Sequence, residues 1–229
     1  MTRGRLLALA VVGAAALAGC GGGSSGGDVA TVTQPTSPPP SSSTTGCSAP
    51  GTGKPSNQQF GQEPKLTIAK TTYTATITTN CGVIKVALDG KHAPRTVNSF
   101  NFLAAHHFFD NTLCHRLTTS GIFVLQCGDP TATGSGGPGY EIPDENLAGA
   151  AYPAGTVAMA NAGANTGGSQ FFFVYSDTQL PPSYTPFGRV TAGLDILQRI
   201  AEQGSTPPDD GAPNQPVFIQ SFTVAKGKS

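Results

Sequence analysis

The chain has no tryptophan and only two methionines, and it is poor in charge: 11% of its 229 residues are Asp, Glu, Lys or Arg. Thirteen basic and thirteen acidic side chains cancel. With no net positive field and no Lys/Arg cluster, nucleic acid and an anionic membrane face are set aside as partners. A sugar-binding barrel would want exposed aromatics and acidic loop tips, and the missing tryptophan counts against it. His92, His106, His107 and His115 lack ligand spacing, so no metal is expected. The string "GSGGPG" (Gly134 to Gly139) fits G-x-G-x-x-G. A proline and then "YEIPDEN" follow where a dinucleotide site needs a helix, so the string reads as a loop and no cofactor is expected.

Glycine and proline, at 30 and 19, are plentiful, and they are concentrated rather than spread. Before them, "MTRGR" is a positive lead-in, and "LLALAVVGAAALAG" is an apolar run too short to span a bilayer. Residues 1–19 read as an export signal. It ends in "LAGC", which resembles a bacterial lipobox, so Cys20 is the expected lipidation site and new N-terminus. From there to residue 65 the chain is mainly Gly, Ser, Thr and Pro and cannot bury enough surface to offset its entropy. A tether of that length would reach roughly 35 to 40 Å. The expected location is extracytoplasmic, anchored to the membrane through lipid.

Residues 66–229 are long enough for one core. "TYTATITT" and "GVIKVALD" alternate around a turn, a hairpin signal with Ile84, Val86 and Leu88 on one face. In "APRTVNSFNFLAAHH", Val97, Phe100, Leu103 and Ala104 fall at helical spacing, with Pro94 suited to the first turn. Short strands follow, in "LCHRLT", "IFVLQC", "GTVAMAN", "SQFFFVY" and "FGRV", then a helix "LDILQRIAEQ" and a last strand "VFIQSFTVA". About eight strands and two helices in this order favour a mainly β protein, a closed eight-stranded antiparallel barrel capped by two α-helices.

One stretch asks for a chemical reason. "IFVLQCGDP" is an apolar strand that ends in the amide of Gln126, ten positions after the guanidinium of Arg116. A buried strand has little use for an amide unless something must be hydrogen-bonded there. "FFDNTLCHRL", "VLQCGDP", "TGSGGPGYEIPDEN", "GTVAMANAGANTGGSQFFFVY" and "YTPFGRV" together resemble, in order and spacing, the core motifs of cyclophilin-type peptidyl-prolyl isomerases, of the actinobacterial kind. The resemblance runs from Thr71 to about Val224.

By that resemblance Arg116 and Gln126 are the catalytic pair. It implies a proline pocket of Phe123, Val124, Phe172, Leu180 and Tyr184, and contacts to substrate backbone from Ala160, Asn161 and Gln170. Gln179, by the same resemblance a further substrate contact, stands where many members carry Trp, and Tyr184 where many carry His. Between Arg116 and Gln126 the chain is two residues longer than is common in the family, so "TTSGI" is expected to bulge. The resemblance implies peptidyl-prolyl cis-trans isomerisation on proline-containing polypeptide clients; the export signal makes exported proteins the expected clients, and a monomer is expected. A catalytically weak Pro-peptide-binding lipoprotein on the same fold is the alternative.

Four cysteines remain after Cys20. In an oxidising compartment an even set reads as disulfides by default. Cys114 and Cys127 lie on strands expected to be neighbours, which leaves Cys47 for Cys81. Four free thiols packed as small apolar groups is the other reading.

Overall fold

Period-two alternation does what the sequence suggests. β1 (Thr72–Thr79) and β2 (Gly82–Asp89) form an antiparallel hairpin, pairing Tyr73 with Leu88, Ala75 with Val86 and Ile77 with Ile84, all buried. In this computed structural model, residues 46–49 and 51–227 are described. The expected signal 1–19, the lipidation site Cys20 and the linker up to residue 45 lie outside the described residues. No helix among the described residues is long and apolar enough to cross a membrane.

Helix α1 (Pro94–Ala105) starts on its proline and buries Val97, Phe100, Leu103 and Ala104, the face that the spacing predicted. Its residue at the cap, Ala93, offers no side-chain acceptor. The Glu145 carboxylate, fifty positions away, takes that place and accepts the N–H groups of Arg95 and Thr96 at 3.0 and 2.8 Å. Free N–H groups and the positive end of the helix dipole both favour an anion there.

The chain continues through β3 (Thr112–Leu113), β4 (Arg116–Thr118), β5 (Val124–Cys127), β6 (Thr156–Met159), β7 (Phe171–Val174) and β8 (Pro186–Ala192). Then come α2 (Leu194–Glu202), β9 (Ser205–Thr206), β10 (Asp210–Pro213) and β11 (Phe218–Lys226). All eleven strands form one curled sheet in the order β3-β11-β1-β2-β8-β6-β7-β5-β4-β10-β9. The expectation of a closed eight-stranded barrel is therefore corrected: among the described residues the sheet has eleven strands and its ladder does not close.

Two local causes account for the difference. "LCHRLT" is not one strand but two, because consecutive N–H groups turn to opposite neighbours: Cys114 donates to Val217 at 2.9 Å and His115 to Gln126 at 3.0 Å. β3, the edge strand beside β11, and β4, beside β5 near the other edge, are thus joined by two residues of chain instead of by pairing. The second cause is "GSTPPDDGAP", whose Pro and Asp content reads as loop, yet β9 pairs with β10 and β10 with β4.

The main core lies inside the curl. Phe100 packs on Phe109 and Phe187 at ring-centroid distances of 5.2 and 4.6 Å, and Phe109 on Phe222 at 4.6 Å. A smaller apolar cluster of Val124, Tyr152, Ala158, Phe172 and Val174 sits apart from it.

The expected boundary at residue 66 also moves. Cys47 is bonded to Cys81, with Cα atoms 4.0 Å apart, and Ser48 and Asn80 exchange hydrogen bonds. Phe60 packs edge-on against Phe102, centroids 4.9 Å apart, and its N–H donates to Pro138 at 2.7 Å. Asn98 donates to the carbonyls of Pro64 and Lys65. The domain therefore includes residues that composition assigned to the linker: a few apolar and hydrogen-bonding side chains outweigh a Gly/Pro-rich surrounding. The expected pairing of Cys114 with Cys127 is present too, Cα atoms 4.0 Å apart.

Candidate active site

Strand β5 alternates, and that alternation builds the site. Val124 and Gln126 face outward into a cleft of about 480 Å³, which Arg116, Ala160, Asn161, Phe172, Leu180 and Tyr184 also line. These are eight of the eleven residues named as catalytic or substrate-binding from the sequence. Strand pairing explains the meeting: Arg116 lies opposite Gln126 in the β4–β5 ladder, and Gln126 opposite Phe172 in the β5–β7 ladder. Gln170 lines an adjoining groove of about 730 Å³ that shares Gln126, Ala160 and Asn161 with the cleft.

Two expected pocket residues fall elsewhere. Phe123, one position from Val124, points to the other side of the strand and packs against the main core and Tyr175. A strand cannot send both neighbours to the same face. Gln179 is exposed and does not line the cleft. Ile122, which sequence reasoning missed, lines it instead. It comes from the loop Thr119–Phe123 between β4 and β5, where Gly121 takes φ +73° and the Thr118 hydroxyl accepts the N–H of Val124 at 3.1 Å. That loop delivers an apolar side chain to the cleft.

The pocket wall is held from behind. Phe172 meets Tyr184 edge-on at 5.5 Å, and Tyr152 stands behind both, its hydroxyl donating to the Tyr184 carbonyl at 2.8 Å and accepting the Tyr184 N–H at 3.1 Å. The Asn161 side chain donates to Ser183 at 2.7 Å, tying the far rim together.

On the polar side, Arg116 is fixed by three hydrogen bonds. Nε and Nη2 donate to the two carboxylate oxygens of Asp210, both at 2.7 Å, and Nη1 donates to Oε1 of Gln126 at 3.3 Å. Because Arg can only donate, the Gln126 oxygen must face it. The Gln126 amide nitrogen is then left to donate to Gln170 at 2.9 Å, and Gln170 in turn donates to the carbonyls of Gly134 and Gly136. Every bond in the chain points one way, from the guanidinium to the glycine loop.

That loop is itself anchored by Asp129, fully buried, whose oxygens accept the N–H groups of Thr131, Thr133, Gly134 and Gly136 at 2.7 to 3.0 Å. Gly136 must be glycine, since a Cβ there would lie 2.0 Å from Asp129 Oδ1. Burial alone would raise the Asp129 carboxyl, but the hydrogen bonds from Thr131, Gly136 and Gly134 outweigh it and hold the pKa below the usual range. The bond to Asp210 raises the Arg116 pKa further, against burial, and the same bond lowers that of Asp210. His115, beside Arg116, has its pKa lowered chiefly by burial, with the guanidinium adding to the effect and Asp129 opposing it. Neither of its ring nitrogens has a hydrogen-bond partner. Among the described residues no group of three or more His, Cys, Asp or Glu side chains could hold a metal ion.

The cleft thus combines an apolar, aromatic wall with a charged donor held at its edge and amides alongside. The chain belongs to the cyclophilin-type peptidyl-prolyl cis-trans isomerase family, whose profile matches residues 74–224. It is 48% identical, over 168 residues, to the probable peptidyl-prolyl cis-trans isomerase B of Mycobacterium leprae, an alignment spanning 67% of this chain and 57% of that protein. The peptidyl-prolyl cis-trans isomerase A of Mycobacterium tuberculosis is 40% identical over 173 residues, 67% of this chain and 93% of that one. Among solved structures, a cyclophilin-type isomerase of Cryptosporidium parvum superposes with a TM-score of 0.61 at 30% identity, covering 69% of this chain and 99% of that one. The same protein has been crystallised in the presence of the dipeptide Ala-Pro. The chain spans little more than half the length of the isomerase B relative.

Proposed function

We propose that the protein is a peptidyl-prolyl cis-trans isomerase acting on proline-containing segments of exported proteins, held outside the cell membrane by lipid on Cys20. The X-Pro bond is barred by about 18 to 20 kcal/mol and turns over unaided in tens to hundreds of seconds. No bond needs to break. The ring must be held while the flanking peptide rotates, and the nitrogen, which loses conjugation and becomes pyramidal, must be offered a hydrogen bond.

Phe172, Leu180, Tyr184, Val124 and Ile122 supply the apolar walls. Gln126 and the Ala160–Asn161 backbone supply the polar grip along the cleft. Arg116 has two guanidinium N–H groups left after its three bonds. Donation to the nitrogen lone pair strengthens as the bond twists, so it favours the transition state over the ground state. A barrier lowered by ~7 kcal/mol corresponds to roughly a 10⁵-fold acceleration.

The observation that carries this reading is the fixed, partly unsatisfied guanidinium at the rim of an aromatic-walled pocket, in a chain of this family. The Ala-Pro dipeptide used with the Cryptosporidium parvum relative suggests the ligand class for the test. The full chain should accelerate cis-to-trans conversion of an Ala-Pro peptide in a protease-coupled assay. Clear binding of the peptide with no acceleration would establish the weak binder instead.

Export and anchoring rest on the N-terminal run and "LAGC", and two disulfides suit an oxidising compartment. The protein should partition into detergent and Cys20→Ala should abolish that. Recovery of the wild type from the cytosol would refute the placement.

A further inference from the structure

Asp210 came out of a stretch with no chemical signal in it. It sits in "STPPDDGAP", reads as a turn, and yet in the fold it places both carboxylate oxygens on Arg116 at 2.7 Å. We propose that Asp210 is the positioning residue for Arg116, clamping the Nε edge of the guanidinium so that its remaining N–H groups face the proline nitrogen. The proposal rests on the isomerase reading given above.

The arrangement is built by the backbone from both sides. Arg116 opens β4, whose two neighbours are β5, which brings Gln126, and β10, which brings Asp210. Strand β10 is pinned beside β4 by pairing of Asp210 with Thr118 and Gly211 with Leu117, and by the Thr119 N–H donating to the Asp209 carbonyl at 2.8 Å. Gly211, next to Asp210, lies so close to the preceding turn that a Cβ would stand 2.3 Å from the carbonyl carbon of Thr206. Nothing larger fits, and the close approach fixes where the carboxylate emerges.

Stability cannot be the main role of this pair. Both side chains are substantially exposed, 38% for Arg116 and 55% for Asp210, and ion pairs at such sites contribute little to folding. The geometry points to orientation. A planar guanidinium held on two oxygens by one edge has its plane and its remaining donors fixed. Without Asp210 only the longer bond to Gln126, at 3.3 Å, restrains the group, and a long side chain then recovers most of its rotamer freedom. Transition-state donation is sensitive to such misplacement. The carboxylate also reduces the net charge at the site, which opposes the benefit. At this exposure, charge effects are damped by water, and placement dominates.

The test is a double-mutant cycle on the full chain with an Ala-Pro peptide, reading kcat and KM separately. Asp210→Asn, which keeps the shape and weakens the clamp, should lower kcat by roughly tenfold, the factor that the freed rotamers are worth, with KM within about twofold. Asp210→Glu should recover part of that loss. In the Arg116→Ala background, Asp210→Asn should change nothing further, because a residue acting through the arginine has no effect once it is gone. The Arg116 Nε–H resonance should be sharp and protected in the wild type and should broaden or vanish in Asp210→Asn.

Unchanged or increased kcat in Asp210→Asn overturns the proposal, as does an effect that persists without Arg116. If the wild type shows no turnover at all, the isomerase reading fails, and the resonance still decides whether Asp210 holds Arg116: an unaltered signal in Asp210→Asn overturns that too.

Discussion

Phe171, Phe172 and Phe173 are three copies of one residue on one strand, and they work on opposite faces of the sheet. Phe171 and Phe173 point inward, where Phe171 meets Phe100 at 5.5 Å and Phe173 at 5.3 Å. Phe172 points outward to Tyr184 and Tyr152, at 5.5 and 6.4 Å, under the cleft. All three are nearly free of solvent. Burial therefore does not separate core from site here; the pleat does. The same rule sorts β5, where Leu125 and Cys127 face the core and Val124 and Gln126 the cleft. A thin wall one strand deep thus serves both stability and binding, and substitutions at adjacent positions should act on different quantities.

The largest effect should come from the inward face. Phe171→Ala empties a fully enclosed site among four aromatic neighbours and should cost ~3 to 5 kcal/mol of unfolding free energy in a denaturant titration. KM should stay near the wild-type value in the protein that remains folded. A large rise in KM would show that the two faces are mechanically coupled.

Next is the disulfide between Cys114 and Cys127, which joins the switch point of the ladder to the core-facing end of β5. With the two cysteines 13 positions apart, removing the link in Cys114→Ala/Cys127→Ala should cost up to ~3 kcal/mol. Mass spectrometry of unreduced protein should find neither thiol free to alkylate. Two alkylatable thiols at these positions would reject the link.

Phe172→Ala should fall mainly on binding. Loss of the ring contact amounts to ~1.5 to 3 kcal/mol, a ten- to roughly hundredfold weaker affinity for a Pro-peptide. Its stability cost should be smaller than that of Phe171→Ala, since water can enter the opened cleft. The reverse order would contradict the division of labour.

The smallest effect separates the faces by pH. His115 has a pKa depressed by burial, so the folded protein binds its proton less readily than the unfolded chain. Such a group leaves stability intact above the ordinary histidine value of about 6.5 and erodes it as the pH falls below that value. The melting temperature should drop between about pH 7 and pH 5, and His115→Gln should flatten that drop. An unchanged slope would assign it to other groups.

How much of this was legible in the chain depended on the signal. The hairpin, α1 and the pairing of Arg116 with Gln126 rest on periodicity and on motifs, which act locally and survive folding. Phe123 was misassigned because its place followed from counting along a motif, whereas the pleat sends Phe123 and Val124 to opposite faces. Asp210 and the strand that carries it left no local mark: Pro, Asp and Gly signal a turn, and only the register with β4 turns it into part of the site. Phe60 was hidden for a related reason, as one ring in a polar, proline-rich stretch, docked by contacts with residues far along the chain.

The central claim is that the cleft divides its labour, with the aromatic wall holding the ring in every state and Arg116 acting only as the bond twists. The direct test is to measure, on the same Ala-Pro peptide and by exchange-resolved NMR, both affinity and interconversion rate for the wild type and for Arg116→Ala. Catalytic efficiency should fall by roughly 10² to 10³ while affinity changes by no more than about twofold, the pattern of a donor used only in the transition state. Equal interconversion rates in the two proteins, or an affinity that falls as far as the rate, would contradict the account.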